Sequence, residues 1–302
     1  MLIALPLMAV GCSGNNNTTG DSSDSSSSKT ASTQGRAVFS ITDAAANLEN
    51  ISAVRLSVNN LQVQASGGAW TTINLANKEF DLLALKESNS AALLADANLE
   101  AGTYNQLRLN ISKVIVVQNG VESEAKLPSQ ELKIVGRLTV EAGKTSTAAL
   151  DFLVDKSLHI TGKGEFILAP VVKLETAHNA EVEIQSDTVV VKSGGKADAN
   201  ITVGMDLSGQ ARANFILDAK TKLDLVGGAI HEPNNAAAEA KVKITAGKAV
   251  EIAITSGNVQ VVLSIKLEIR SGIQVWHVTA NRQLEVVNIF IDANTGAVVA
   301  IE

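Results

Sequence analysis

From Arg36 onward apolar and polar residues alternate with period two in short segments separated by turn residues, and nothing else in the chain constrains its fold as much. Successive side chains of a strand point to opposite faces, so such segments make strands with one face in a core and the other in water. Ala37-Val38-Phe39-Ser40-Ile41 is the first, ending at Thr42-Asp43. Residues 52–58 and 61–64 follow, then a Ser66-Gly67-Gly68 turn and residues 70–75. Residues 104–117 read as a long strand pair, 132–140 and 147–154 as two further strands, and 166–174 as the close of this set. Strands and turns at this spacing predict an antiparallel sandwich or barrel. One helical interruption is expected at 90–98, where alanine and leucine cluster.

Residues 181–225 alternate again, with Gly194-Gly195 and Gly227-Gly228 as turn signals, and make either a small extra β-domain or added strands on the first sandwich. The run His231-Glu232-Pro233-Asn234-Asn235 reads as a linker. Residues 245–255 then place Ala249, Ile252 and Ala253 on one helical face, with Ser256-Gly257 as a stop. Strands are expected at 259–269, 273–280 and 284–291, and the chain ends in a hairpin in which Asn294 and Gly296 tolerate positive φ. The fold class is thus mainly β: an antiparallel β-sandwich-like domain (36–175), a further β segment and linker (176–241), and a small C-terminal α+β module with a helix on an antiparallel sheet (242–302). With 302 residues, 45% of them hydrophobic, the chain can bury cores of this size.

Two stretches carry family resemblances. The ordered landmarks Phe39-Ser40-Ile41-Thr42-Asp43-Ala44, Phe80-Asp81-Leu82-Leu83-Ala84-Leu85, Ala101-Gly102-Thr103-Tyr104, Leu150-Asp151-Phe152 and Leu168-Ala169-Pro170-Val171-Val172 resemble the domain of unknown function 4382. That family occurs in bacterial lipoproteins and secreted proteins, and the likeness implies a β-sandwich-like ectodomain over 36–175. The helix led by Ile244-Thr245-Ala246-Gly247, the strand Val275-Trp276-His277-Val278 and the 292–296 hairpin resemble the PepSY domain, known from metallopeptidase propeptides and many exported bacterial proteins. Gln283 stands where that family often has Gly in a turn.

The amino-terminal end resembles a third pattern. Residues 1–10 are apolar but short of the roughly 20 that span a bilayer as a helix. Leu7-Met8-Ala9-Val10-Gly11-Cys12 resembles the lipobox of bacterial lipoproteins, although no Lys or Arg precedes it. The resemblance makes 1–12 a signal peptide and Cys12 an acylated anchor to the lipid membrane. Residues 13–35 are Ser, Asn, Thr and Gly with almost nothing apolar, and read as a disordered tether. Ser13 and Gly14 include no Asp after the cysteine, which favours the outer over the inner membrane of the cell envelope.

No catalytic set emerges. His159, His178, His231 and His277 are not spaced as metal ligands, no nucleophile elbow is present, and the lone cysteine is taken by the anchor. Ala142-Gly143-Lys144-Thr145 lacks the first glycine of a phosphate loop, since Leu138 occupies that position. Asp292-Ala293-Asn294-Thr295-Gly296 lacks the acidic twelfth ligand of a calcium loop. Asp43, Asp81 and Asp151 recur at strand ends as turn residues or cation ligands, and Arg108 with Asp81 is a candidate ion pair or ligand contact. Trp276 is expected in the core and His277 exposed on the opposite face. A net charge of −6 argues against nucleic acid, and 3% aromatic content leaves few stacking platforms. The expected function is a non-catalytic binding or structural role in the envelope, without catalytic, cofactor or metal residues. Its ligand is a protein, peptide or glycan. The alternative is a regulator or inhibitor of an envelope or secreted peptidase acting through the PepSY-like domain.

Overall fold

The computed structural model describes residues 33–43, 48–233, 236–283 and 285–302. The expected signal peptide with Cys12, nearly all of the expected tether, and Asn234 and Asn235 lie outside the described residues. The first strands are β1 (Gln34–Asp43), β2 (Ile51–Ala65) and β3 (Trp70–Asp81), followed by the helix α1 (Leu82–Glu87). Next come β4 (Ala92–Glu100), β5 (Gly102–Gln118), β6 (Val121–Glu124), β7 (Glu131–Val140), β8 (Thr145–Phe152) and α2 (Val154–Ser157). After β9 (Leu158–Ile160) and β10 (Phe166–Leu168) the chain forms β11 (Val171–His178), β12 (Glu181–Gln185), β13 (Thr188–Ser193), β14 (Lys196–Met205) and β15 (Ala211–Ala213). The C-terminal part holds β16 (Asp224–Val226), β17 (Ala229–His231), α3 (Ala236–Glu239), α4 (Ala246–Gly257), β18 (Val261–Arg270), β19 (Ile273–Arg282), β20 (Glu285–Asp292) and β21 (Val298–Ile301).

The architecture is mainly β, as the alternation predicts. An eight-stranded sheet in the order β12-β13-β4-β1-β8-β11-β14-β15 packs on a five-stranded sheet, β3-β2-β5-β6, in which β7 also pairs with β5. Their facing side chains, among them Phe39, Ile41, Leu150 and Phe152 from the first and Leu56, Leu61, Leu107 and Ile134 from the second, form one continuous core. Residues 181–213 supply four strands to the larger sheet. Residues 104–117 belong to one unbroken strand, β5, whose first half pairs with β7 and second half with β6.

Residues 90–98 are not helical. They belong to β4, which runs antiparallel to β1 from Gln34↔Glu100 to Ile41↔Ala92 and buries Leu94, Ala95 and Leu99. Pairing and burial here override the helix preference of alanine and leucine, a few tenths of a kcal/mol per residue. The helix lies earlier, at α1, because the Asp81 carboxylate accepts from the Leu83 and Ala84 N–H groups at 3.2 and 3.4 Å and so caps its first turn. Gly102, at the start of β5, does not take a positive φ, so its place in the turn does not depend on glycine's freedom there.

In the C-terminal module α4 covers one face of a six-stranded sheet, β16-β17-β18-β19-β20-β21, antiparallel except where β17 meets β18. Thr245 Oγ1 caps the helix by accepting from Lys248 N–H, and Asn258 ends it at φ 49°. Ala249, Val250 and Ala253 pack against Trp276, Val278 and Ile289. His231 is not linker: it ends β17, is buried, and meets Trp276 edge-on at 6.0 Å. In the final hairpin only Gly296 takes positive φ, while Asp292 Oδ1 accepts from the N–H groups of Asn294 and Thr295. These two bonds hold the Asp292 carboxyl below its ordinary value.

Gln283 adopts φ 57° in the turn between β19 and β20, the conformation that glycine takes without a Cβ penalty. Gln283→Gly is expected to raise the unfolding free energy by about 0.5–1 kcal/mol, relief of strain exceeding the added freedom of the unfolded chain. A urea titration checks this, and a loss of stability would contradict it.

Ser32–Glu302 form one compact unit, so the sandwich and the C-terminal module share an interface. Ile167 packs with Leu223 and Ile230 there, and Lys126 Nζ donates to the Val262 carbonyl at 3.3 Å. Burial pushes the Lys126 ammonium below its ordinary value of 10.5. Between the folded and unfolded values the unfolded chain binds more protons, so this group adds stability as pH rises toward 10.5. Lys126→Met is expected to flatten the dependence of stability on alkaline pH, as read by urea midpoints across that range.

Candidate functional site: a cleft between two sheet faces

The outward faces of β5 and β7 and the sheet face of the C-terminal module turned away from α4 enclose a cleft of about 1160 Å³. Alternation builds both walls. On β5, Tyr104, Leu107, Leu109 and Ile111 point into the core, so Arg108 and Asn110 point out. On β19, Trp276, Val278 and Ala280 point toward α4, so His277, Thr279 and Asn281 line the cleft. The β14–β15 turn closes one end, shaped by Asp206 Oδ1, which accepts from Ser208 N–H, Ser208 Oγ and Gln210 N–H. A smaller, more apolar annex of about 300 Å³ opens from the same residues and is lined by Phe215, Leu217 and Ile230.

Most charges on the walls are paired. Arg108 stands 3.8 Å from Glu131 and stacks on Trp70 at 4.0 Å, and Lys133 reaches Glu131 at 3.3 Å. Arg212 binds Asp206 at 2.7 Å, and Lys266 binds Glu268 at 3.1 Å. Burial works to raise the Glu268 carboxyl, but hydrogen bonds from Lys266 and His277 and the charges they bring outweigh it, and the group lies below its ordinary value. His277 is half-buried, not exposed: it lies 3.3 Å from Glu268, 2.9 Å from Asn288 Oδ1, and stacks on Phe290 at 4.5 Å. Trp276 is in the core, with its side chain on the opposite face.

The other residues singled out from sequence do not gather here. Asp81 caps α1 and forms no ion pair with Arg108. Asp43 accepts from Val154 N–H at 3.4 Å. Among the described residues no group of three or more His, Cys, Asp or Glu is placed to hold a metal ion, so Asp43, Asp81 and Asp151 do not share a cation. Burial lowers His159, whose ring is held in the short β9–β10 ribbon. Gly143 turns the chain between β7 and β8 at φ 70° with no helix following it. What sequence reasoning missed is the amide lining. Asn110, Gln210 and Asn281 are single polar residues on alternating segments or turns, and each reads as an ordinary solvated position until two sheet faces are set opposite one another.

Among the described residues no helix is long and apolar enough to cross a membrane. No curated protein matches the chain. A solved structure assigned as a lipoprotein, from Clostridium difficile 630, is similar at 14% identity over 48% of this chain and 77% of its own, with a TM-score of 0.20. Residues 34–170, from β1 through β10, match the model of the family described as Domain of unknown function (DUF4382), a span that holds the whole five-stranded sheet and β1, β4 and β8 of the larger one.

Proposed function

We propose that the chain is a non-catalytic binding protein of the bacterial cell envelope, held to the lipid membrane by acylated Cys12 and receiving its ligand in the cleft between the sandwich and the C-terminal sheet. The cleft is the observation that carries this reading. It is large enough for a ligand of several rings, and it is walled by side chains many of which are fixed by ion pairs. The lipobox-like 7–12 stretch and the Ser/Asn/Thr-rich 13–35 stretch support the anchor, and Ser13-Gly14 in place of an Asp directly after Cys12 supports the outer membrane.

Mass spectrometry of the mature protein is expected to find a diacylglyceryl group on Cys12, and Cys12→Ser is expected to move the protein from the membrane to the soluble fraction. An unmodified thiol on a soluble wild-type protein would overturn the anchor. A second reading, restraint of an envelope or secreted peptidase, is favoured by one observation. Strand β21 ends the six-stranded sheet and leaves Val298, Val299 and Ile301 exposed, an edge that an extended peptide can lengthen by strand addition. Slowed turnover of a co-localised peptidase by micromolar full-length chain would support it, and unchanged turnover would remove it.

A further inference from the structure

The walls of the cleft also carry information about what fits between them. Cleft and annex together present five cationic side chains, Arg108, Lys133, Arg212, Lys266 and Arg282, and five carboxylates, Glu131, Glu285, Glu302, Asp206 and Glu232. The charges therefore balance, in a chain whose formal charge is −6. Four of the five cations already face a carboxylate, so a strongly anionic ligand has to compete with existing pairs for them.

Between the ion pairs stand neutral amides: Asn110, Gln130, Gln210, Asn281, Gln283 and Asn288. Asn288 is committed to His277 and Thr279, and Gln130 donates to the Ser112 carbonyl. The side chains of Asn110, Gln210 and Asn281 have no hydrogen-bond partner among the described residues, and they come from three separate elements. A carboxamide donates and accepts at once, and so does a hydroxyl; each can answer the other in either sense. The ordered partners that such groups need fit a ligand dense in hydroxyls. A peptide fits the site less well. The walls are sheet faces, which offer side chains, whereas an extended peptide is read by the backbone groups of an open strand edge.

Resting on the cleft reading above, we infer that the ligand is an uncharged, hydroxyl-rich oligosaccharide, bound through the free amides of Asn110, Gln210 and Asn281 and oriented by the Trp70-stacked Arg108 fork. Stacking on aromatic rings plays a small part, in keeping with the scarcity of such rings in the chain.

The test is titration calorimetry of the full chain with four neutral hexasaccharides (of glucose, xylose, mannose and N-acetylglucosamine), one hexauronate and one acidic hexapeptide. At least one neutral hexasaccharide is expected to bind with a micromolar to low-millimolar Kd. The double variant Asn110→Ala/Asn281→Ala, with one change on each wall, is expected to weaken it about tenfold or more, since each lost amide removes one or two hydrogen bonds of about 1 kcal/mol. Asn200→Ala, at an exposed site on β14 hydrogen-bonded to Glu175, serves as the control and is expected to bind as wild type. Binding of only the hexauronate or the hexapeptide, weakened by the double variant, would overturn the sugar assignment and leave the cleft as the binding site. Neutral-sugar binding that the double variant leaves intact would overturn the cleft reading itself. No binding by any of the six probes would overturn the inference.

Discussion

Truncating Trp276 to alanine is expected to lower the unfolding free energy by about 3–5 kcal/mol, the range for removing a large aromatic side chain from a packed core. Trp276 is 1% exposed, meets Ala249, Val250 and Ala253 of α4 across the sheet face, and touches His231 edge-on. Its indole N–H also donates to the Ile244 carbonyl at 2.7 Å, which ties the segment leading into α4 to the sheet. Trp276→Phe retains much of the volume but leaves that carbonyl without its donor, and a cost of about 1–3 kcal/mol is expected. Urea denaturation followed by circular dichroism measures both variants, since Trp70 leaves an emission of its own. Equal losses for Ala and Phe would mean that the hydrogen bond, not packing, dominates.

The second large effect is expected at Asp198, which stitches the two sheets of the sandwich together. Its side chain on β14 is 6% exposed and accepts from Thr139 N–H at 2.9 Å, Thr139 Oγ1 at 3.0 Å and His178 Nδ1 at 2.9 Å. Thr139 lies on β7 of the smaller sheet, whereas His178 lies on β11 of the larger. Asp198→Ala leaves a backbone N–H, a hydroxyl and an imidazole to find new partners, with little water at hand, and a loss of about 3 kcal/mol is expected. Asp198→Asn keeps one acceptor oxygen but turns an amide N–H₂ toward donors, so an intermediate loss is expected. If the alanine variant costs under about 1 kcal/mol in the same titration, the clasp contributes little beyond solvent exchange.

Much of the fold was legible because alternation is a direct record of burial on one face. Strands β1, β3, β7 and β8, the Thr245-capped helix and the three strands after it lie within a few residues of where period and caps place them, whereas 52–58 and 61–64 join in one strand, as do the two halves of 104–117. The helix expected at 90–98 failed because alanine and leucine prefer a helix only weakly, and β1 offers β4 a full antiparallel ladder. Asp81, whose carboxylate starts α1 directly after β3, was the available signal for the true helix. The site was far less legible. Its chemistry depends on residues as distant as Asn110 and Asn281, and no local pattern tells a sheet's outer face in bulk water from one that looks across a cleft. His231 and His277 show the same limit, since turn-like neighbours and strand parity each suggested exposure that tertiary packing removes.

The placement of β1 has a mechanical consequence. The strand nearest the proposed membrane attachment is not at a sheet margin: it lies between β4 and β8, parallel to β8 from Arg36↔Thr145 to Asp43↔Phe152. A tug transmitted from the bilayer reaches a strand held on both sides, so freeing it means parting two ladders and not one. A tethered molecule grasping an extended polymer could therefore be dragged hard by its foot without coming apart at the first strand.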